Sequence, residues 1–530
     1  MILERLRNGV RKLAADSGMG KEYKDVFELE GVPSFREFYD VSIFPCKYVY
    51  RGFYNAWHLV KAPTIGDDTA TRTLFRTNMA KAICAELAGL IWSEGADIHI
   101  SGATEDDDRL ERYVKSVLKD NAFGEKMQEL IEQAAALGGA ALKEYVKVKR
   151  DEDGKPIEGT ERIMIDYCMA DQFVPTAWDN AKVSEAVFVS RKAKGGMYWT
   201  RLEWHKWDGD TYVITNDLYG TKAKKADGSN QDILGFWYPL TACYKYLEPV
   251  TEINGLTTSL FSYFRTPFAN NVDDNSPLGV SVYGNAMDTL HALDICYDSF
   301  VREFRLGKKR IIVPASAVRV VVDPQTGKQR RYFDANDEAY EALATDDPDK
   351  LKVQDNSLEL RIDEHVKAMN ALLSVLCLQV GFSGNTFTFD AREGLKTATE
   401  VISENSKTYK TIRTFQNMII PALEKVCTNI IDLGVLYGLS FEGVPVATLA
   451  NGYEINITME DAVLEDSQTR IDRAIKLISN GLLSKTTAMT DPKYGIGFTE
   501  EEAAAELQKI TDEQQITATA FDVFQSGTLE

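Results

Sequence analysis

The feature that most constrains this chain of 530 residues is a stripe of apolar side chains with heptad spacing. Its members are separated by 4, 3, 4, 3 and 4 residues, a pattern typical of a helix that packs lengthwise on another helix. They are Ile362, Val366, Met369, Leu373, Leu376 and Val380. A second helical pattern covers 284–306. At 1.5 Å per residue, each helix is roughly 30 Å long. The sequence therefore predicts two long helices that can lie antiparallel.

Between these helices lies a segment of different character, 308–360. It begins with the strand-like Arg310–Pro314 and Val318–Val322. A turn at Asp323–Gly327 follows, and then an acidic stretch from Asp334 to Asp349. We expect the helix pair to present this small mixed module at its tip.

The remaining patterns predict an α+β fold. Helical spacing covers 74–92, 109–136 (ending at Gly138-Gly139) and 397–438. Thr397 to Glu400 form a capping box, and Pro421 should kink or restart the last of these helices. Residues 1–60 predict a short amphipathic helix and an aromatic segment. We favour core and subunit contacts for the aromatic segment over stacking on a ligand. The tail, 461–530, predicts three short helices.

An antiparallel sheet domain is predicted between residues 140 and 250. Short β-branched and aromatic runs alternate there with turn signals. Hairpin-type dipeptides occur at Asp153-Gly154, Asp208-Gly209 and Asp227-Gly228. The candidate strands are 142–149, 162–167, 186–191, 199–207 and 211–215.

The net charge of −20 excludes a protein that coats DNA with its average surface, because such proteins neutralise phosphates with basic side chains. It does not exclude a protein past which DNA slides. The seven cysteines are scattered without C-x-x-C spacing, which predicts reduced core thiols in a reducing cytoplasm. The N-terminus has no signal-peptide pattern, and the best apolar run, Ala371–Phe382, is too short to span a membrane.

Catalytic motifs are absent from the sequence. It has no P-loop, no H-E-x-x-H, no nucleophile elbow and no nuclease pattern after Pro348-Asp349. We interpret the adjacent acids Asp273-Asp274 as a solvated loop. His205, which lies between Trp204 and Trp207, is interpreted as structural. The sequence thus predicts a protein that is not an enzyme and holds neither cofactor nor metal.

Basic residues cluster at the end of the first long helix and within the module. They are Arg302, Arg305, Lys308, Lys309, Arg310, Lys328, Arg330 and Arg331. Arg302, Arg305 and Lys309 fall on one helical face. Two interpretations stay open. The cluster is either a solvated helix end, favoured by the helix dipole, or a cationic band that touches DNA phosphates.

Several stretches resemble the portal proteins of tailed bacteriophages, in the form typical of siphophages of Gram-positive hosts. They are Tyr50–Trp57, Arg76–Glu94, Asp171–Pro175, Leu202–His205, Phe304–Pro314 and Gly394–Ser406. The resemblance covers about residues 35 to 515, and its specificity lies in the order of the stretches. A packaging enzyme such as terminase fits less well because the P-loop is missing. A major capsid or adaptor subunit does not explain two helices around a module.

The resemblance implies a ring with a central channel, usually dodecameric, at the capsid vertex of the virion. Its parts would be a wing (1–283), two stem helices (284–307 and 361–380) around a clip (308–360), a tunnel loop (381–396), the wing's long helix and return (397–460), and a crown (461–530). Double-stranded viral DNA would pass through the channel during packaging and ejection. The implied partners are terminase, a head–tail adaptor, and the major capsid and scaffolding proteins, without any membrane.

The same resemblance assigns two sets of candidate residues. The DNA-channel candidates are Arg302, Arg305, Lys308, Lys309, Arg310, Asn385, Thr386 and Lys396. The partner-binding candidates of the clip are Lys328, Arg330, Arg331, Tyr332 and Phe333.

Overall fold

The chain forms two compact units. The first comprises Met1–Arg392 with Lys407–Asp461, and the second comprises Glu393–Ser406 with Ala462–Glu530. The computed structural model describes residues 21–63, 69–93, 95–101, 108–180, 182–222, 233–307, 311–314, 320–322, 329–331, 340–343, 354–355, 359–384, 386–389, 398–459, 467–490, 498 and 502–511. Residues 1–20, where the sequence predicts an amphipathic helix, lie outside the described residues, and so does the Asp227-Gly228 turn.

All described strands belong to the first unit. They are β1 (Leu59–Pro63), β2 (Thr69–Thr73), β3 (Asp97–Ser101), β4 (Gly139–Lys147), β5 (Arg162–Met169), β6 (Phe173–Asp179), β7 (Lys182–Lys194), β8 (Met197–Asp208), β9 (Thr211–Lys222), β10 (Phe236–Tyr238), β11 (Val250–Asn254), β12 (Phe261–Arg265), β13 (Ile311–Pro314), β14 (Val320–Val322), β15 (Gln329–Arg331), β16 (Tyr340–Leu343), β17 (Gln354–Asp355), β18 (Ser440–Phe441), β19 (Val444–Pro445) and β20 (Glu454–Thr458). The five predicted strands are confirmed as β4, β5, β7, β8 and β9.

The described helices are α1 (Arg36–Phe38), α2 (Phe44–Tyr50), α3 (Asn55–His58), α4 (Met79–Ile91), α5 (Arg109–Asp120), α6 (Phe123–Leu137), α7 (Met287–Leu306), α8 (Ile362–Val380), α9 (Ala398–Leu436), α10 (Val446–Leu449), α11 (Ser467–Ser479), α12 (Lys485–Thr490) and α13 (502–511). A π-helical segment, Tyr39–Ile43, joins α1 to α2. Phe35, Phe38 and Tyr39 are buried, which confirms a core role for this part of the aromatic segment.

The strands between residues 140 and 265 are antiparallel, as predicted for this part of the chain, and they form two sheets. One is a six-stranded antiparallel sheet in the order β10-β9-β8-β7-β6, with β11 also paired to β9. The other has the order β12-β4-β5. Aromatic side chains join them: the Phe261 ring centroid lies 5.9 Å from that of Phe173 and 5.6 Å from that of Phe188. Alternation identifies a strand but not its partner, so only packing separates the two sheets.

The single helix predicted over 109–136 is two helices, α5 and α6. The chain turns between them at Ala122, whose φ is +50°. The Asn121 amide stabilises this break, because its Nδ2 donates to the carbonyl of Ile163 at 3.0 Å and its Oδ1 accepts from the N–H of Ile165 at 3.0 Å. Asparagine competes with helical hydrogen bonding in this way. Here it ties the helix end to β5.

Both long helices of the predicted pair are confirmed as α7 and α8. The heptad stripe of α8 is buried from Met369 to Val380 but exposed at Ile362. The helix ends at Gly381, whose φ of +89° favours glycine. Within the intervening module, β13 pairs parallel with β16 and antiparallel with β17, and β14 pairs antiparallel with β15. These strands are the part of the predicted mixed α/β module that the structure describes.

Of the two outcomes predicted at Pro421, a kink or a restart, the restart does not occur, because α9 runs through this residue as one helix. Ile419, Ala422, Leu423 and Val426 are buried around the proline. Their packing stabilises the helix against the local cost of proline, because tertiary context overrides propensity. The capping residue Thr397 lies outside the described residues.

The second unit contains the three short helices predicted for the tail, α11, α12 and α13. The Ser484 hydroxyl accepts a hydrogen bond from the N–H of Thr487 at 3.0 Å and so caps α12. The N–H of Phe498 donates to the carbonyl of Met489 at 3.0 Å.

Candidate functional site

The helices α7 and α8 are held together by an apolar seam and by an ion pair at the end of the helix pair next to the module. Leu293 of α7 and Leu373 and Leu376 of α8 are buried. Near the module, Arg361 donates to both carboxylate oxygens of Glu303, at 3.1 and 2.9 Å. This bidentate hydrogen bond lowers the pKa of Glu303. The seam fixes the register of the pair, while the exposed ion pair closes it where apolar burial ends.

Two aspartates on α7 anchor the other face of this helix to the N-terminal segment. Asp294 Oδ1 accepts from the N–H and hydroxyl of Thr77, at 2.7 and 2.9 Å, while its Oδ2 lies 3.0 Å from His58 Nε2. Asp298 accepts two bonds from the Arg72 guanidinium, at 2.8 and 2.7 Å. These aspartates, four residues apart, bring α7 and the segment around β1 and β2 together. The sequence analysis missed them; their signal was a pair of acids spaced i and i+4, which places both carboxylates on one side of α7.

We expect Asp298→Ala to lower the free energy of unfolding by roughly 2–3 kcal/mol, because it removes hydrogen bonds to a charged group from a buried carboxylate. The hydrogen bond from Arg72 lowers the pKa of Asp298. Its contribution is therefore present above the ordinary aspartate pKa of about 3.9 and is lost as the pH falls through the lower folded value. Denaturant unfolding at neutral and acidic pH measures both effects. Ser299→Ala, an exposed change on α7, is the control; an equal loss there would contradict the prediction.

Of the basic residues predicted to form a cationic band, the structure describes Arg302 and Arg305. Arg302 is half-exposed, and its charge contributes to lowering the pKa of Asp298. Arg305 is exposed, and its guanidinium lies 4.9 Å from the centroid of the Phe75 ring, a cation–π contact. Lys308, Lys309 and Arg310 lie outside the described residues. The described part of the band therefore packs on the N-terminal segment.

The segment after α8 is fastened to α9 by side-chain hydroxyls. Thr411 donates to the carbonyl of Gly381 at 2.7 Å, and the Thr408 hydroxyl accepts from the N–H of Ser383 at 2.9 Å. The channel candidate Thr386 donates its hydroxyl back to the Ser383 carbonyl at 2.8 Å, which makes a tight turn. The candidates Asn385 and Lys396 lie outside the described residues.

The partner-binding candidates fall on or beside β15. Arg330 pairs with Val321, and Arg331 pairs with Val320, in the antiparallel β14–β15 ladder. Lys328, Tyr332 and Phe333 lie outside the described residues. The structure thus brings two of these five residues onto one short strand.

A buried polar network joins the two sheets. Lys143 Nζ donates to Glu203 Oε2 at 2.7 Å, and His205 Nε2 lies 3.3 Å from Glu203 Oε1. His205 Nδ1 lies 2.8 Å from the hydroxyl of Tyr212. Burial holds the pKa of His205 well below its ordinary value, so the imidazole is neutral. Buried and fully partnered, His205 is structural, as predicted.

A second buried cluster connects the three-stranded sheet to α9. Asn429 Nδ2 donates to Glu144 Oε2 at 2.7 Å and to the Ser259 carbonyl at 3.1 Å, while its Oδ1 accepts from the Thr258 hydroxyl at 2.9 Å. Burial raises the pKa of Glu144 to about 8. Its Oε1 has no hydrogen-bond partner among the described residues. Glu144 is therefore largely protonated at neutral pH.

Neither cluster is a candidate metal site. Across the described ranges, no group of three or more His, Cys, Asp and Glu side chains could hold a metal ion. All seven cysteines are free. Within the same ranges, none of the helices has both the length and the apolar character of a membrane span.

Comparison with known proteins assigns the class of molecule that this mixed fold and helix-bracketed module represent. The sequence model of the phage portal proteins matches residues 49–519, most of the chain, and the chain belongs to that family. The matching branch is described as SPP1 Gp6-like. The family is structural, and it implies a homo-oligomeric ring at the capsid vertex of a virion.

Other comparisons add less. The neck of an empty GTA particle, computed with C6 symmetry, is similar to this chain with a TM-score of 0.35 and 12% identity over 77% of this chain and 87% of that chain. No curated protein matches. The family match alone carries the assignment.

Proposed function

We propose that this portal protein assembles into a ring, dodecameric as is usual in the family, through which double-stranded DNA is packaged and ejected. The proposed ring is of the siphophage type of Gram-positive hosts. The observation that carries the proposal is a second apolar stripe on α8, opposite its buried seam. This stripe needs a partner beyond the helix pair, and a neighbouring subunit supplies one.

The outer stripe consists of Ala368, Ala371, Val375 and Leu378, spaced by 3, 4 and 3 residues. All four are exposed, Val375 by 47% and Leu378 by 56%. On α7, Ile295 is also 47% exposed. Unpaired apolar stripes with 3–4 spacing favour helix–helix association. A ring whose subunits pack along their helix pairs would bury them.

In this proposal the parts of the chain take the roles that the family suggests. Residues 1–283 and 397–460 form the wing, 284–307 and 361–380 the stem, 308–360 the clip, 381–396 the tunnel loop and 461–530 the crown. The clip docks terminase and later the head–tail adaptor, whereas capsid and scaffolding proteins surround the ring. The net charge of −20 suits a conduit that must not hold its DNA.

Electron microscopy of the purified full-length protein tests the proposed assembly. Rings with a central hole are the expected result. A monomer at every concentration would contradict the proposal, and so would a closed assembly without a channel.

We expect Lys308→Gln with Lys309→Gln to impair DNA packaging or retention while rings still form. The two changes remove positive charge from the proposed stem–clip junction, where weak phosphate contacts would act. Packaged DNA per particle is the measurement, and ring formation by electron microscopy is its control. Unchanged packaging in this variant would favour the alternative, a solvated helix end.

A further inference from the structure

The outer stripe of α8 requires a partner surface of a different kind. A contact between identical surfaces of two copies has twofold symmetry and stops at a dimer, whereas a larger ring needs a contact between two different surfaces. The stripe of Ala368, Ala371, Val375 and Leu378 therefore cannot cover itself in a ring. A second exposed surface of the chain must receive it.

The exposed side of α7 carries such a surface. Its members are separated by 4, 3, 4 and 3 residues, the spacing of a helix that packs lengthwise on another helix. They are Asp288, Ala292, Ile295, Ser299 and Arg302, and we call them the α7 line. Ile295 is 47% exposed. The Ser299 hydroxyl donates to the carbonyl of Ile295 at 2.9 Å, so this donor is already satisfied within the helix.

Two contacts set the heights at which α7 and α8 lie beside each other. Glu303 bonds to Arg361, and the ring centroid of Phe300 lies 5.9 Å from that of His365. Because the two helices run antiparallel, each step towards the N-terminus of α7 corresponds to an equal step towards the C-terminus of α8. The height of a residue on one helix can thus be matched with a residue on the other.

Ile295 is therefore level with Asn370, which lies between Ala368 and Ala371 of the outer stripe. A rotation about the ring axis leaves the height of every residue unchanged. Helix pairs that lie along this axis would bring Ile295 of one subunit to the alanines of the next. The same packing would place Val375 against Ala292, so that each large side chain meets a small one, as in well-packed helix contacts.

Charge supports the same register. Glu364 extends the outer stripe of α8 by one turn, and Arg302 ends the α7 line, so the antiparallel packing brings these two opposite charges together. Both side chains are available for such a pair. The charges that they act on within one subunit, Asp298 and Arg361, form their hydrogen bonds with other residues.

We propose that the α7 line of one subunit packs antiparallel on the outer stripe of α8 in the next, with Ile295 against Ala368 and Ala371, and Arg302 paired with Glu364. Each subunit offers one line and one stripe, so the contact repeats around the ring. The inference rests on the proposed function, because it needs a ring. It adds which surface receives the stripe and in which register, and it makes Arg302 a contact between subunits rather than with DNA.

Mixing two damaged subunits tests whether two different surfaces meet. Ile295→Glu damages the α7 line, whereas Val375→Glu with Leu378→Glu damages the stripe. Each variant alone should give at least tenfold fewer rings than wild type, because every contact would bury unpaired carboxylates. An equimolar mixture should form dimers and nothing larger, since one intact line meets one intact stripe. Mass photometry of the full-length proteins measures this, and Ile295→Leu is the control that should form wild-type rings.

Cysteine cross-linking tests the register. Under mild oxidation, Ile295→Cys with Ala371→Cys should give a ladder of disulfide-linked subunits that a reductant collapses. Ile295→Cys with Glu364→Cys, one heptad away, is the matched control. Its ladder should be at least tenfold weaker, at the level of wild type with its own seven cysteines.

Three results would overturn the inference while wild-type rings leave the proposed function intact. They are full assembly of Ile295→Glu, a mixture of the two damaged variants that stays monomeric, and equal cross-linking of the two cysteine pairs. A wild-type protein that forms no rings would instead contradict the proposed function, and the inference with it.

Discussion

Replacing Val375 and Leu378 with glutamate is expected to abolish ring assembly and leave a folded subunit. Both side chains are about half exposed in the single chain, so the subunit itself loses little apolar burial. In a ring, each glutamate would be buried against a neighbour, and burying an unpaired charge costs several kcal/mol. A carboxylate near the C-terminus of α8 also costs about 0.3–1 kcal/mol through the helix dipole. That smaller cost does not unfold the subunit.

Mass photometry gives the assembly state of this variant, and far-UV circular dichroism checks its fold. Val375→Ile with Leu378→Met is the matched control, because it keeps apolar side chains at the same two positions. The control should assemble like the wild type. Rings from the glutamate variant in wild-type yield would show that the outer stripe of α8 is not the subunit contact.

Replacing Glu144 with glutamine is expected to raise the stability of the protein relative to wild type as the pH rises. Glu144 is buried, and burial raises its pKa from 4.5 to about 8. A carboxyl whose folded pKa is raised contributes stability that is complete below the unfolded pKa and is lost as the pH rises through the folded pKa. Glutamine avoids this loss because it does not ionise, and its carbonyl can accept the bond from Asn429. The NH2 group of glutamine would lie where Oε1 has no hydrogen-bond partner among the described residues, which adds a cost that does not depend on pH. We therefore expect the stability of the variant relative to wild type to rise by roughly 3 kcal/mol between pH 4.5 and pH 7.

Denaturant midpoints at pH 4.5, 7 and 9 measure this gain. Glu86→Gln, which changes an exposed glutamate on α4, is the control and should shift stability by less than about 0.5 kcal/mol throughout. A constant offset between Glu144→Gln and wild type across the three pH values would mean that Glu144 does not titrate in this range.

Periodic patterns predicted the helices α7, α8 and α9 and the strands β7, β8 and β9 well. Long runs with a steady period leave few alternatives. The predicted helix boundaries were wrong where a single residue decides whether the helix continues. Asn121 divides the predicted helix by bonding to β5, and the pattern of apolar residues continues across the break. At Pro421 the sequence suggests an interruption, but the helix continues, because buried residues on both sides of the proline keep it intact.

The candidate site was less predictable than the fold. Clustering of basic residues identified Arg305, but not its contact with Phe75, which comes from a segment far away in sequence. Asp294 and Asp298 were missed for the same reason, since their partners lie more than 200 residues away. Such pairs are visible only once the chain has folded. The exposed stripe of α8 was also hidden, because sequence shows that a residue is apolar but not whether it is covered.

Two attachments of α9 allow this helix to transmit force between the segment after Gly381 and the sheets. One lies at Thr408 and Thr411, which hold the segment after Gly381, and the other lies at Asn429. At 1.5 Å per residue they are about 27 Å apart. Because Asn429 is buried with all three of its described hydrogen bonds made, that end resists sliding. A force applied to the segment after Gly381 would therefore first break the hydrogen bonds of Thr408 and Thr411, at about 1 kcal/mol each. These bonds would break before the force displaced the sheets at the Asn429 end of the helix.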